Sequence, residues 1–327
     1  MSNEECIYFF FNNSTKKTKD KPCKQRFISK LQNQDYFTQN EIHSTNKLRS
    51  LSEYKKYYYL FDSIENRQTH GNGNMLTKYE NLEVVSLDNY LRSLSSSKLY
   101  ILRLIEVYRH ILSAIALLKE NTIIHNNINL ETIQTNKSHI LLTNFSESID
   151  ISRPDLKECI NKLCINKQYM NKVTMPLEFQ VLSYLITNKL DSISNNNITS
   201  ILDNSINNHQ ILTHFGEQVM QQFRDDGAIF LRKYINKSIT FIIDDILTYY
   251  STWDNYALSV SYLIILIDIH KSIKHSNKFV ITFMRHLLVN ISFNPIKRCS
   301  VETTTNKFNK MIYEIEPNYY ALLINEL

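Results

Sequence analysis

Hydrophobic and polar positions alternate in short runs through the first quarter of the chain and fall at helical spacing through most of the remainder. Cys6 to Phe11, Arg26 to Leu31, Tyr57 to Ile64 and Met75 to Glu80 read as strands, and Asn40 opens a helical stretch reaching Leu51. Leu87 begins a short helix. Leu99, Leu102, Ile105, Ile111, Leu112, Ile115 and Leu118 then mark one face of a long one. Ile123-Ile124 is an apolar strand end. A polar loop follows, then a short strand, a turn, a second short strand ending at Leu142 and a second polar turn. Glu147 to Met175 reads as a solvated, lysine-rich loop. Asp191 to Asn208 is rich in Asn and Ser and reads as loop, and the helical periodicity of Gln210 to Tyr250 breaks near Asp225-Asp226-Gly227. Tyr256 to Ile267, the longest apolar run, is too short for a bilayer and predicts a buried core helix. Phe279 to Ile291, Val301 to Phe308 and the tail to Leu327 give further helices. The class predicted is α+β, strands first and helices after.

Composition narrows the function classes. The chain's 327 residues suffice for one large domain or two smaller ones, and 43% apolar residues with 20 Tyr and 16 Phe exclude a disordered chain. Only 4 Gly and 5 Pro occur, and Asn is abundant, a bias suggesting an AT-rich coding genome such as that of many large DNA viruses. Cys6, Cys23, Cys159, Cys164 and Cys299 are odd in number and form no C-x-x-C pair, so free thiols in a reducing compartment are expected. The formal charge of +5 is mild and its lysines are dispersed, so nucleic acid is not indicated. The start lacks a basic region before an apolar run, so no secretory signal is expected, and no membrane partner. Asp225-Asp226 and Asp244-Asp245 are neighbours that do not face each other on a helix. No His or third acid stands at ligand spacing, so solvated faces are expected there and no metal.

His125-Asn126-Asn127-Ile128-Asn129-Leu130-Glu131-Thr132, followed by Asn144-Phe145-Ser146, resembles the catalytic loop and metal-binding turn of the eukaryotic-type protein kinases, H-R-D-L-x-x-x-N and D-F-G. His125, Ile128 and Phe145 match scaffold positions. Asn127 stands where the catalytic Asp would be, Thr132 where the metal-binding Asn would be, and Asn144 where the metal-binding Asp would be. Lys30 matches either the strand lysine that holds the nucleotide phosphates or a solvent-facing lysine. Glu41 matches either the helix glutamate that pairs with that lysine or an exposed helix acid. Pro176-Leu177-Glu178-Phe179 resembles the A-P-E segment, and Asn294 to Arg298 the segment whose arginine pairs with that glutamate in the family. Asp254 matches the aspartate that holds the catalytic-loop backbone.

The resemblance implies a bilobal protein kinase-like fold. A small β-rich N-lobe would span 1–86 and a larger helical C-lobe 87–327, with an insertion at about 184–250. Phosphoryl transfer depends on positioning and charge neutralisation, and the charged groups are missing. Asn127 accepts no proton, Asn144 and Thr132 are neutral, and no glycine precedes Gly71, where the family's phosphate-covering loop needs them. Losing a positioned base alone costs about 10²–10⁴-fold. The implied function is a catalytically inactive pseudokinase, a binding or regulatory scaffold for protein partners. The alternatives are an active serine/threonine kinase using ATP and Mg²⁺ through relocated acids such as Glu131 or Glu147, and a virion component. Pro-Leu-Glu-Phe before an apolar helix and a long insertion resembles the kinase-like proteins of nucleocytoplasmic large DNA viruses, implying the host cytoplasm or the virion.

Overall fold

A computed structural model describes residues 7–9, 27–69, 72–165, 172–273, 277–314 and 324–325. In chain order the elements are β1 (Ile7–Phe9), β2 (Phe27–Asn33), α1 (Tyr36–Arg49), α2 (Tyr54–Tyr57), β3 (Ser63–Thr69), β4 (Asn72–Glu80), β5 (Val85–Ser86), α3 (Leu87–Ser93), α4 (Ser97–Glu120), β6 (Ile123–Ile124), β7 (Ile133–Thr135), β8 (Ile140–Leu142) and β9 (Ile149–Asp150). There follow α5 (Leu156–Cys164), α6 (Leu177–Thr187), α7 (Asn195–Asn208), α8 (Gln210–His214), α9 (Glu217–Arg232), α10 (Ile239–Leu247), α11 (Trp253–Ser272), α12 (Lys278–Asn290) and α13 (Val301–Glu314). The protein is α+β. The chain gathers into two compact units, Met1–Tyr90 with Glu131–Ser148, and Leu91–Leu130 with Ile149–Leu327.

The first unit is built on a sheet of order β1-β2-β4-β3. β2 and β4 run antiparallel, Phe27 opposite Glu80 and Asn33 opposite Asn74, and β1 lies parallel to β2. Asp35 caps α1 by accepting from Thr38 N–H at 2.9 Å. A second sheet, β5-β7-β8, ties 131–148 to this unit, because β5 pairs with β7. Tyr57 to Ile64, expected as one strand, divides between the end of α2, an extended stretch and the start of β3. The reason is tertiary. Tyr59 N–H donates to the Leu142 carbonyl at 2.8 Å, and buried Tyr58 packs edge-on to Phe145 at 5.6 Å. The stretch between the first two strands, where glycine is missing, lies outside the described residues.

The second unit is centred on α11. Fifteen of its residues from Trp253 to Ile269 are buried, on every side of the helix, as befits a core element. Tyr262 and Phe283 stand 4.7 Å and 4.9 Å from Tyr108, joining α4, α11 and α12 with edge-to-face rings, and Phe308 of α13 adds a tilted ring at 4.6 Å. Such pairs add about 0.5–1.5 kcal/mol each beyond area burial.

Four expectations are corrected. Asp191 to Asn208 is not loop but largely α7. Asn is a weak helix former, yet Ile198, Ile201, Leu202, Ser205 and Ile206 bury one stripe, and Ser194 with Asn197 forms a capping box. α9 runs unbroken through Asp225-Asp226-Gly227. Gly227 permits close helix approach there, since a Cβ would lie 2.5 Å from Leu202 Cδ2 and 3.2 Å from Leu177 Cδ2. Asp226 is buried and bound by Lys297 Nζ at 2.6 Å rather than solvated. Glu147 to Met175 contains α5, whose lysines lie on one face while Cys159, Ile160, Leu163 and Cys164 are buried on the other. Cys159, Cys164 and Cys299 are free thiols, and burial pushes Cys164 up to about 12. No helix among the described residues is long and apolar enough to cross a membrane.

Candidate functional site

In the second unit, β6 delivers the chain into the His125 loop, and the first turn of α11 holds that loop. Asp254 Oδ2 accepts the His125 N–H at 2.8 Å and Oδ1 accepts the Asn126 N–H at 2.9 Å. Burial pushes the Asp254 carboxyl up to about 6, against the downward pull of those two N–H groups. His125 is fully buried, and its Nδ1 accepts the Asn127 N–H at 3.3 Å. Asn126 sits at φ 59°, a left-handed conformation that asparagine tolerates better than most residues.

Asn127 is 6% exposed and its amide oxygen is already engaged. Lys172 Nζ donates to Asn127 Oδ1 at 2.7 Å, and Asn129 Nδ2 donates to the same atom at 2.9 Å. Lys172 escaped sequence reading because dispersed lysines carry no pattern and this contact spans 45 residues.

Glu178 and Arg298, which lie 120 residues apart, meet in a bidentate ion pair with both contacts at 2.7 Å. Both side chains are 0% exposed. Trp253 Nε1 donates to Glu178 Oε1 at 3.2 Å, Arg298 Nε donates to the Ser292 carbonyl at 2.7 Å, and the guanidinium lies 4.9 Å from the Tyr256 ring centre. The network ties α6, α11 and the 292–298 loop together.

In the first unit, Glu41 is buried on α1, but Lys30 is not its partner. Gln32 Nε2 donates to Glu41 Oε2 at 3.1 Å and the Tyr79 hydroxyl donates to Oε1 at 3.3 Å. Residues 30 and 32 share one face of β2, and α1 packs where the later one reaches it. Of the two readings for each residue, the Lys30–Glu41 ion pair does not form and Glu41 is not an exposed acid: a neutral amide contact holds it instead. Burial and the nearby Glu41 charge push the Tyr79 hydroxyl well above its ordinary value.

Asn144 stands at φ 66°, and its Oδ1 accepts the Ser146 hydroxyl at 2.7 Å. Phe145 is buried. Asn40 of α1 donates to the carbonyls of Ser146 at 3.0 Å and Ser148 at 2.7 Å, and Ser44 bonds Ser148 at 2.6 Å, so α1 clasps this turn. Thr132 is buried and its carbonyl accepts Thr143 N–H at 3.0 Å. Asn40 and Ser44 were missed because polar residues on a helix signal solvent by default.

Taken one by one, Asn127 of the second unit and Thr132 and Asn144 of the first are neutral side chains and do not fit a Mg²⁺ ion, which favours carboxylate, and the oxygen of Asn127 already takes an ammonium. Among the described residues, no three His, Cys, Asp or Glu side chains gather. Comparison with protein-family models and with curated proteins finds no match to this chain.

Proposed function

We propose that this chain is a bilobal kinase-like scaffold that binds protein partners and transfers no phosphoryl group. The observation that carries the reading is Lys172 Nζ on Asn127 Oδ1 at 2.7 Å. A general base must present a lone pair to the acceptor hydroxyl. At that position the chain has an amide, and a cation from the segment matching the activation loop occupies it. The surrounding frame supports the same reading. Asp254 still holds the loop backbone and Glu178 still grips Arg298, so the parts that shape the loop persist without the parts that react.

The test is radiolabel transfer from ATP, with Mg²⁺ or Mn²⁺, to the protein itself and to a generic acceptor protein. The expected result is no label above a protein-free blank, for wild type and for Lys172→Met alike. Transfer that disappears in Glu147→Ala would overturn the reading in favour of an active kinase with a relocated acid.

A further inference from the structure

A cavity of about 330 Å³ opens in the second unit between α8 and the last turns of α11. That volume lies in the range of small-ligand sites, about 300–1,000 Å³. Its apolar wall is formed by Val173, Ile211, Ile264 and Ile267. Asp268 and Lys271 also line it, one turn apart on α11, where side chains three residues apart share a face. Neither side chain carries an ion pair or a hydrogen bond. Elsewhere in the unit, lysines that meet an aspartate pair with it, as Lys157 does with Asp244, Lys233 with Asp245 and Lys297 with Asp226. His214 stands on the same rim. Burial, then the neighbouring Lys271 and His270, hold it below the usual histidine range.

We propose that this cavity binds a free α-amino acid with an aliphatic or aromatic side chain. The complementarity is threefold. The ligand ammonium faces Asp268, its carboxylate faces Lys271 beside His214, and its side chain covers the isoleucine wall. An anion alone would face Asp268 and a cation alone would face Lys271, each a repulsion. A purely apolar ligand would desolvate both charges without pairing either, which is costly. A peptide carboxyl terminus supplies the carboxylate but no ammonium, and leaves Asp268 without a counter-charge. Val173 directly follows Lys172, so an occupant touching Val173 acts on the segment that places Lys172 on Asn127.

Calorimetric titration of the full chain with L-leucine, L-phenylalanine, L-leucinamide and N-acetyl-L-leucine tests this. Leucine or phenylalanine is expected to bind with Kd of about 1 mM or tighter. Leucinamide, N-acetyl-leucine, and leucine with the Asp268→Asn or Lys271→Met protein are each expected to bind about tenfold or more weakly, one charge pair being lost. Both substitutions fall on exposed, unpaired side chains, so the variants are expected to keep the wild-type circular dichroism. Absence of heat with either amino acid overturns the proposal. Equal binding of N-acetyl-leucine also overturns it, by assigning the cavity to peptide carboxyl termini.

Discussion

Replacing Arg298 with Met removes one half of an ion pair whose two side chains are both 0% exposed. Glu178 would keep only the Trp253 indole N–H at 3.2 Å, and its charge would remain buried. Stranding a buried charge in this way costs about 3–5 kcal/mol, a large part of a total stability of about 5–15 kcal/mol. The double substitution Glu178→Leu with Arg298→Met strands no charge. It loses the donors to the Ser292 carbonyl and to Thr252 Oγ1, which the single variant loses too, and the acceptor of the Trp253 indole N–H, worth about 0.5–1.5 kcal/mol each, so it is expected to cost less than Arg298→Met alone, which strands a full charge. Urea unfolding followed by fluorescence gives both numbers. Trp253 is the chain's single tryptophan, 1% exposed and in contact with Glu178 itself, so the signal reports this site. A loss under about 1 kcal/mol for Arg298→Met, or a double variant as damaged as the sum of its singles, would refute the reasoning.

Other consequences can be checked with the same unfolding measurement. Gln32→Met removes a donor from buried Glu41 and is expected to cost about 1–3 kcal/mol, whereas Lys30→Met should stay within about 0.5 kcal/mol; the reverse order would reinstate Lys30 as the partner. Gly227→Ala drives a Cβ into Leu202 and is expected to cost about 1–3 kcal/mol despite the better helix former, while a stabilised variant would disprove the close approach. Asp254, pushed up to about 6 from 3.8, favours the folded state when protonated: its stabilisation is complete below about pH 4 and lost as pH rises through 6. His209, pushed down to about 4 from 6.5 by burial, acts oppositely: its stabilisation is present above about pH 6.5 and lost as pH falls through 4. Each spans at most about 3 kcal/mol, so between pH 4 and 6 Asp254→Asn and His209→Gln should tilt the stability profile in opposite senses, and parallel profiles would contradict both.

The parts most legible in the sequence were those fixed by a few buried residues with specific chemistry. His125 and Asp254, and Glu178 and Arg298, lie more than 100 residues apart, yet the chain brings each pair together through named hydrogen bonds. The apolar run of α11 was equally readable, and so was the later half of the α4 stripe, Ile111, Leu112, Ile115 and Leu118; its first half was misplaced, since Leu99 and Leu102 are exposed and Ile101, Leu104, Val107 and Tyr108 are buried instead. What escaped reading depended on packing between elements. Asn-rich composition hid α7, whose helix rests on four apolar residues and a cap rather than on propensity. Gly227 looked like a break because the sequence does not show that Leu202 lies against it. Lys30 and Gln32 share a strand face, so alternation alone could not decide which one meets Glu41. Lys172 became informative only when its contact with Asn127 was seen.

The central claim is that the nucleotide-handling chemistry is gone, and thermal unfolding with ATP, in the presence and absence of Mg²⁺, addresses it most directly. A site filled at a hundred times its Kd would add about 2.7 kcal/mol. The account expects no displacement of the midpoint by ATP and no difference on adding Mg²⁺, whereas a Mg²⁺-dependent rise that scales with ATP concentration would contradict it.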